Sequence, residues 1–180
     1  ARQATPRCIR GKPADRRVHL FPSRLTMVSM KRFIKIAVLI LAIAFIGIQF
    51  FQIDKTNPPV VEGQTLESAV AVPSDITLVL GRACNDCHTN KTNYPWYSYI
   101  QPSGWFLKDH VNEGRRELNF SEFAAYEPRK RKKKLEEMCE QVESGEMPLP
   151  SYLWIHRESV LSESDKKAIC DWTKSVAGNQ

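Results

Sequence analysis

Residues 74–90 read SDITLVLGRACNDCHTN, and this stretch joins an amphipathic helix to a cysteine motif. Pro73-Ser74-Asp75 is a helix-start signal. The residues that then recur at helical spacing are Ile76, Val79, Leu80 and Ala83. Cys84-Asn85-Asp86-Cys87-His88 follows directly, so two thiols and an imidazole are expected within about one turn at the end of this helix.

The C-x-x-C-H spacing is the pattern of covalent c-type haem attachment. On one turn, two thiols can reach the two vinyl groups of one haem edge while the adjoining imidazole lies under the iron. The motif therefore predicts one haem c, bound through Cys84 and Cys87, with His88 as an iron ligand. A zinc site or a plain disulfide is the alternative interpretation, but zinc would need a second closely spaced ligand pair, which the sequence lacks.

The sixth iron ligand has several candidates. Met147 lies in Gly145-Glu146-Met147-Pro148-Leu149-Pro150, where two prolines bar a helix and can hold a thioether rigidly towards iron. Met138 falls on the apolar face of a helix predicted from about Lys130 to Glu143, so we expect it in the core. His110, His156 or an open position are the remaining alternatives. We predict Met147.

The two remaining cysteines of the C-terminal half lie on separate predicted helices. Cys139 shares its helix face with Leu135 and Val142, and Cys170 lies on a helix that Ser162 and Asp165 mark with a capping signature. In an oxidising compartment two such cysteines are expected to form a disulfide. Two buried thiols are the alternative.

Residues 33–51 read FIKIAVLILAIAFIGIQFF and are long enough to cross a bilayer. Bulky residues at the end of this segment indicate an uncleaved signal anchor rather than a cleaved signal peptide. Lys31, Arg32 and Lys35 before it predict a cytoplasmic N-terminus and a periplasmic domain, as in a single-pass protein of a bacterial inner membrane. A buried core helix is the alternative.

The charge is unevenly distributed along the chain. Residues 1–35 contain 10 of the 26 Lys and Arg but one of the 20 Asp and Glu, so residues 36–180 carry 16 bases and 19 acids. Because the excess positive charge precedes an apolar segment, it indicates membrane topology and argues against nucleic-acid binding. The basic run at residues 129–134 can dock an acidic redox partner or an anionic membrane, or can be solvated charge.

These patterns predict an all-α chain. Its parts are a basic, disordered or upstream tail (1–30), a transmembrane signal anchor (31–53), a linker (54–73) and a haem domain (74–180). Helical spacing in the last part predicts a small cytochrome c-like domain of four or five helices around one haem. The segment NYPWYSYIQPSGW, residues 93–105, reads as an aromatic loop suited to cover a haem edge.

Three stretches resemble the small bacterial haem-binding domain family with a C-x-x-C-H site, a group similar to monohaem cytochromes c. They begin at residues 84, 134 and 161 and read CNDCHTNKTNYPWYSYIQPSGWFLKDHVNEGRRELNFSEF, KLEEMCEQVESGEMPLPSYLWIH and LSESDKKAICDWT. The resemblance implies covalent haem at Cys84 and Cys87, His88 as the proximal ligand and Met147 as the distal ligand.

The function expected from these residues is one-electron transfer to an unidentified redox partner protein, by a carrier rather than an enzyme. A haem-based sensor or a peroxidase-like enzyme with an exchangeable sixth position is the second hypothesis. A non-haem metal or structural module is the third. The sequence contains no phosphate-binding glycine loop and no Ser/His/Asp arrangement, so nucleotide enzymes and hydrolases find no support.

Overall fold

The computed structural model describes residues 24–178, and this part of the chain is helical without β-strands. The α-helices are α1 Arg24–Ile48, α2 Leu66–Ala69, α3 Ser74–Ala83, α4 Asn85–His88, α5 Ser103–Glu117, α6 Pro128–Ser144, α7 Pro150–Leu153 and α8 Glu163–Ala177. Short 3-10 helices occupy Trp96–Tyr99, Phe123–Ala125 and Arg157–Ser159. The all-α prediction is confirmed. Residues 74–178 contain six α-helices, more than the four or five predicted, because α4 and α7 have four residues each, too few for a periodic pattern.

The prediction of a transmembrane helix is wrong for the structure. Among residues 24–178, no helix combines the length and the apolar character that a membrane crossing needs. Helix α1 ends at Ile48, and its N-terminal half includes Lys31, Arg32 and Lys35. Residues 36–48, the uncharged part of α1, extend about 20 Å at the α-helical rise, whereas a bilayer core is about 30 Å thick.

The chain divides into two compact units at Ala44. The first unit contains the part of α1 that ends there, and the second begins at Phe45. Residues 1–23 of the predicted tail, with Cys8, lie outside the described residues. In the segment predicted as a linker, Leu66 and Val70 are buried in the core of the second unit.

The core of the second unit forms where α3, α6 and α8 pack together. α3 buries Ile76, Val79 and Leu80, which are three of the four residues that set its predicted apolar face. The other two helices bury Leu135, Met138, Cys139 and Val142 of α6, and Ile169, Cys170 and Trp172 of α8. A disulfide joins Cys139 to Cys170, which confirms the predicted pairing.

Three of these helix ends have a physical cause that the sequence shows. α6 begins with Pro128, whose ring fixes φ at a helical value. Proline lacks a backbone N–H, but at the first position of a helix this group has no partner within the helix, so nothing is lost. It ends at Gly145, which has a φ of 76°, in the left-handed region that favours glycine. α8 begins with the predicted capping box, in which Ser162 and Asp165 exchange hydrogen bonds between side chain and backbone.

Asp165 makes the stability of α8 depend on pH. Hydrogen bonds from Ser162 and an ion pair with Arg82, at 2.7 Å, hold the pKa of Asp165 below its ordinary value of 3.8. A lowered carboxyl pKa stabilises the fold above the unfolded-state pKa, and this stabilisation is lost as the pH falls through the folded-state pKa. We expect Asp165→Asn to lower the free energy of unfolding by about 1 kcal/mol at neutral pH.

Urea unfolding across the acidic range tests this prediction, because the difference between Asp165→Asn and wild type should shrink below pH 3.8. Asp171→Asn is the control. Asp171 is an exposed acid of the same helix in an i,i+4 pair with Lys167, and its loss should cost less than about 0.5 kcal/mol. A difference for Asp165→Asn that stays constant with pH would contradict the assignment.

Candidate functional site

The C-x-x-C-H residues occupy a single turn between two helices. α3 ends at Ala83, and Cys84 breaks the helix with φ −126° and ψ −38° before α4 begins at Asn85. The carbonyl oxygen of Cys84 accepts hydrogen bonds from the backbone N–H groups of Cys87, at 3.2 Å, and His88, at 3.0 Å. This turn brings two thiols and an imidazole close together, and both thiols are free.

His88 is oriented by two carbonyl groups. Its Nδ1 lies 2.8 Å from the carbonyl oxygen of Leu118 and 3.1 Å from that of Gly114. Because carbonyl oxygens only accept, Nδ1 carries the proton and Nε2 keeps its lone pair. Burial holds the pKa of His88 below its ordinary value, which favours the neutral ring. A carbonyl on Nδ1 and a free Nε2 is the arrangement usual for a histidine that binds a metal.

Two cavities meet at this turn. They measure about 530 Å³ and about 200 Å³, and their walls share Cys84, His88, Glu117 and Met147. The larger cavity is also lined by Leu80, Leu118, Phe120, Lys133, Lys134, Glu137, Met138, Glu140, Gln141, Val142 and Ile169. The smaller is also lined by Ala83, Asp86, Cys87, His110, Glu113, Gly114, Pro148, Leu149 and Tyr152. All four predicted site residues therefore lie around one connected region.

Met147 reaches both cavities because the chain turns back after α6. Its backbone N–H donates to the carbonyl oxygen of Gln141 at 3.0 Å, which fixes the start of the segment that follows Gly145. Pro148 is buried, and Pro150 begins α7. The Met147 side chain is half-buried and packs against the core. It therefore lies where a thioether can face a ligand in either cavity.

The other candidates for the sixth ligand lie in different surroundings. Met138 is 8% exposed and belongs to the core, as predicted, although it also lines the larger cavity. His110 lines the smaller cavity, with its Nδ1 2.8 Å from the carbonyl oxygen of Phe106. His156 lines neither cavity, and both of its ring nitrogens are engaged, by the Tyr97 hydroxyl at 3.0 Å and the Glu158 carboxylate at 3.2 Å.

The aromatic loop at residues 93–105 does not cover this site. None of its residues lines either cavity, and Trp96 is 69% exposed. Tyr97 instead bonds to His156, which connects the loop to the segment after α7. The walls come instead from α3 to α6, from α8 and from residues 118, 120 and 147–152, so this expectation is wrong.

Two contacts at the site were not predicted from the sequence. The Tyr152 hydroxyl donates to the Asp86 carboxylate at 3.0 Å, which ties α7, just after Met147, to the C-x-x-C-H turn. Gly114 lies so close to Cys87 that a Cβ at Gly114 would be 2.9 Å from the Cys87 carbonyl oxygen. A glycine on the buried face of an amphipathic helix is a signal of such close approach, whereas nothing in the sequence pairs Tyr152 with Asp86.

The environment of the two thiols keeps them protonated. Burial raises the pKa of Cys84 to about 12 and that of Cys87 to about 11. Thiolates are the form that attacks disulfides, so these values disfavour thiol–disulfide exchange by the pair. In the described chain, the cysteines of the one potential metal cluster, Cys139, Glu143 and Cys170, are those of the disulfide.

The donor set fits a haem. A neutral imidazole with a free Nε2, a thioether and two protonated thiols face a region whose surface is mainly apolar, although charged side chains also line it. Imidazole and thioether are common axial ligands of haem iron, and low polarity around the group is one of the means by which a protein adjusts it. The residues that the structure brings together therefore suit this cofactor.

Comparison with known proteins agrees with this chemistry. A family model described as "Haem-binding domain" matches residues 43–175. No curated protein and no solved structure matches the chain. The family model covers well over half of the sequence, including the C-x-x-C-H turn, both cavities and the disulfide. The chain therefore belongs to the haem-binding domain family.

Proposed function

We propose that this protein carries one covalently bound haem c and transfers single electrons. Cys84 and Cys87 would hold the haem through thioether bonds, and His88 and Met147 would be the axial ligands. The observation that carries the proposal is the meeting of Cys84, His88 and Met147 on the walls of both cavities. The haem supplies the redox chemistry when bound.

The chain's own residues perform three tasks in this proposal. The carbonyl groups of Gly114 and Leu118 keep the proton of His88 on Nδ1, so that Nε2 stays available. The hydrogen bond from Tyr152 to Asp86 holds the segment after Met147 against residues 84–88, which would be the haem attachment turn. Leu80, Phe120 and Val142 form an apolar part of the wall of the larger cavity, and low polarity beside an iron centre favours its less charged, reduced state.

We also propose that the protein works in an oxidising compartment, the periplasm of a bacterium. The disulfide between Cys139 and Cys170 supports this location, because disulfides persist in exported proteins and are rare in the cytosol. C-type haem is attached in the same kind of compartment.

The axial ligands are tested with a matched pair of variants, Met147→Leu and Met138→Leu. Both methionines line the larger cavity, and leucine conserves their volume at a cost below about 1.5 kcal/mol. The proteins are made in bacteria that contain a c-type haem maturation system. We expect Met147→Leu to lose the low-spin spectrum of a His/Met-ligated haem and to open the sixth position to added imidazole, while Met138→Leu keeps the wild-type spectrum.

An unchanged spectrum in Met147→Leu would overturn the ligand assignment. The second candidate function, a sensor or a peroxidase with an exchangeable sixth position, would then be favoured. His110 supports this alternative, because it lies on the wall of the smaller cavity and its Nε2 is not engaged by Phe106. His110→Ala would change the spectrum or the ligand affinity under that alternative and leave both unchanged under the proposed one.

A further inference from the structure

Helix α6 concentrates positive charge that the rest of the second unit lacks. All six residues from Arg129 to Lys134 are cationic. The other positions between 36 and 180 carry 10 bases and 19 acids, an excess of nine negative charges. The second unit therefore presents one strongly basic surface on an otherwise acidic body, which creates an electric dipole able to orient an approaching charged molecule.

This placement works against the stability of the helix. The six cations occupy the first two turns of α6, which begins at Pro128 and has no acid in its first turn. The helix macrodipole is positive at this end and favours acids, so cations here are unfavourable and also repel one another. The run is therefore not explained by helix stability.

Only part of this charge is neutralised within the protein. Lys134 pairs with Glu137 at 2.7 Å, and Lys133 pairs with the same carboxylate at 3.4 Å. Arg129 and Lys132 are exposed and form no ion pair among residues 24–178. They are three positions apart on a helix, so they share a face and offer two uncompensated charges to a partner.

The basic surface borders the candidate haem site. Lys133 and Lys134 line the larger cavity, whose wall also contains Cys84, His88 and Met147. The Lys133 side chain is 72% exposed, so the cavity opens to solvent beside it. A molecule that binds the exposed cations would therefore lie next to the cavity opening.

We propose that the basic surface, defined by Arg129, Lys130, Lys132 and Lys133, docks an acidic electron-transfer protein over the opening of the larger cavity. The proposal rests on the proposed function. In the step it would serve, a reduced partner would lose one electron and the haem iron would gain it, with no bond made or broken. Electrostatic attraction would raise the rate at which the two proteins meet in a productive orientation.

The charges around this surface favour a protein over an anionic membrane. Exposed acids stand on both sides of the run, at Glu127 before it and at Glu136 and Glu140 after it. A uniformly anionic plane would be repelled by these carboxylates while it contacts the cations. A discrete acidic patch on a protein can face the cations alone.

The test uses the full-length haem-loaded protein and a reduced plant-type ferredoxin, an acidic iron–sulfur protein, as the electron donor. Stopped-flow absorbance gives the rate of haem reduction at low and at high salt. We expect the wild-type rate to fall about ten-fold with added salt, and Arg129→Glu/Lys132→Glu to lower the low-salt rate about ten-fold and to remove most of the salt dependence.

The matched control is Lys91→Glu/Lys174→Glu, which makes the same change in net charge at two exposed lysines that line neither cavity of the haem site. It should keep most of the wild-type rate. An uncharged small reductant should reduce the haem of wild type and of both double variants at equal rates. If it reduces none of the three proteins, the haem proposal rather than the docking proposal is wrong. Equal rates of reduction by ferredoxin in both double variants would overturn the docking proposal. Binding to anionic vesicles is measured on the same proteins. If Arg129→Glu/Lys132→Glu weakens salt-sensitive vesicle binding but leaves the ferredoxin rates unchanged, the docking proposal is also overturned.

Discussion

Gly114→Ala is expected to displace the attachment turn and to leave most of the protein without a correctly bound haem. The new Cβ would lie 2.9 Å from the Cys87 carbonyl oxygen and 3.2 Å from its Cβ, and backbone atoms cannot move aside cheaply. Gly114 also accepts a hydrogen bond from His88, so the shift would disturb the proposed iron ligand directly. We expect a several-fold loss of bound haem and a stability loss of about 1 to 3 kcal/mol.

The haem absorbance per protein and the urea unfolding curve measure both effects. Gly81→Ala is the matched control, because Gly81 lies in α3 just before the motif and an added Cβ there meets no atom within 4 Å. That variant should bind haem normally and be more stable than wild type by about 0.5 to 1 kcal/mol. Wild-type haem content and stability in Gly114→Ala would show that α4 and α5 are not held this close.

Removing the disulfide is the second change with a large expected effect. Cys139 and Cys170 join α6 to α8 and close a loop with a sequence separation of 31. A loop of this size restricts the unfolded chain enough to stabilise the fold by about 3 to 4 kcal/mol. We expect Cys139→Ala/Cys170→Ala to lose about this amount of unfolding free energy, measured by urea unfolding.

Reduced wild-type protein is the control for this variant, because reduction breaks the disulfide without removing the two sulfur atoms from the core. It should lose nearly the same stability, and any further loss in the double alanine variant would measure the packing of the two side chains. A double variant within about 1 kcal/mol of oxidised wild type would contradict a stabilising role for the bond.

The long helices could be predicted because each buries one continuous face. Ile76, Val79 and Leu80 on α3 and the buried set of α6 recur at helical spacing, and Ser162 with Asp165 marks the start of α8. The disulfide followed from two cysteines on such faces. The helix faces and the capping signature depend on residues close together in the sequence, so they can be read from one sequence.

The membrane prediction failed because hydropathy alone does not say where a helix stops. The apolar stretch runs on to Phe51, but α1 ends at Ile48 and its first half carries Lys31, Arg32 and Lys35. The helix count failed for a related reason, since a helix of four residues has no repeat to detect.

The residues of the candidate site were predicted, but the contacts that position them were not. Cys84, Cys87 and His88 follow from one motif, and Met147 from a proline-bounded segment. The bond between Tyr152 and Asp86 joins positions 66 residues apart, which local patterns do not connect. The aromatic loop was placed at the haem edge because of its composition, whereas its Tyr97 packs on His156 instead.

Covalent attachment at Cys84 and Cys87 is the central claim, and the visible spectrum after denaturation tests it most directly. Wild type and Cys84→Ala/Cys87→Ala are made with the c-type maturation system, unfolded in guanidinium and extracted with acidified organic solvent. We predict that wild-type protein keeps its haem absorbance through the extraction and that the double variant releases any haem it holds. Complete release of haem from the wild-type chain would contradict the account and would leave a haem-binding protein without thioether attachment.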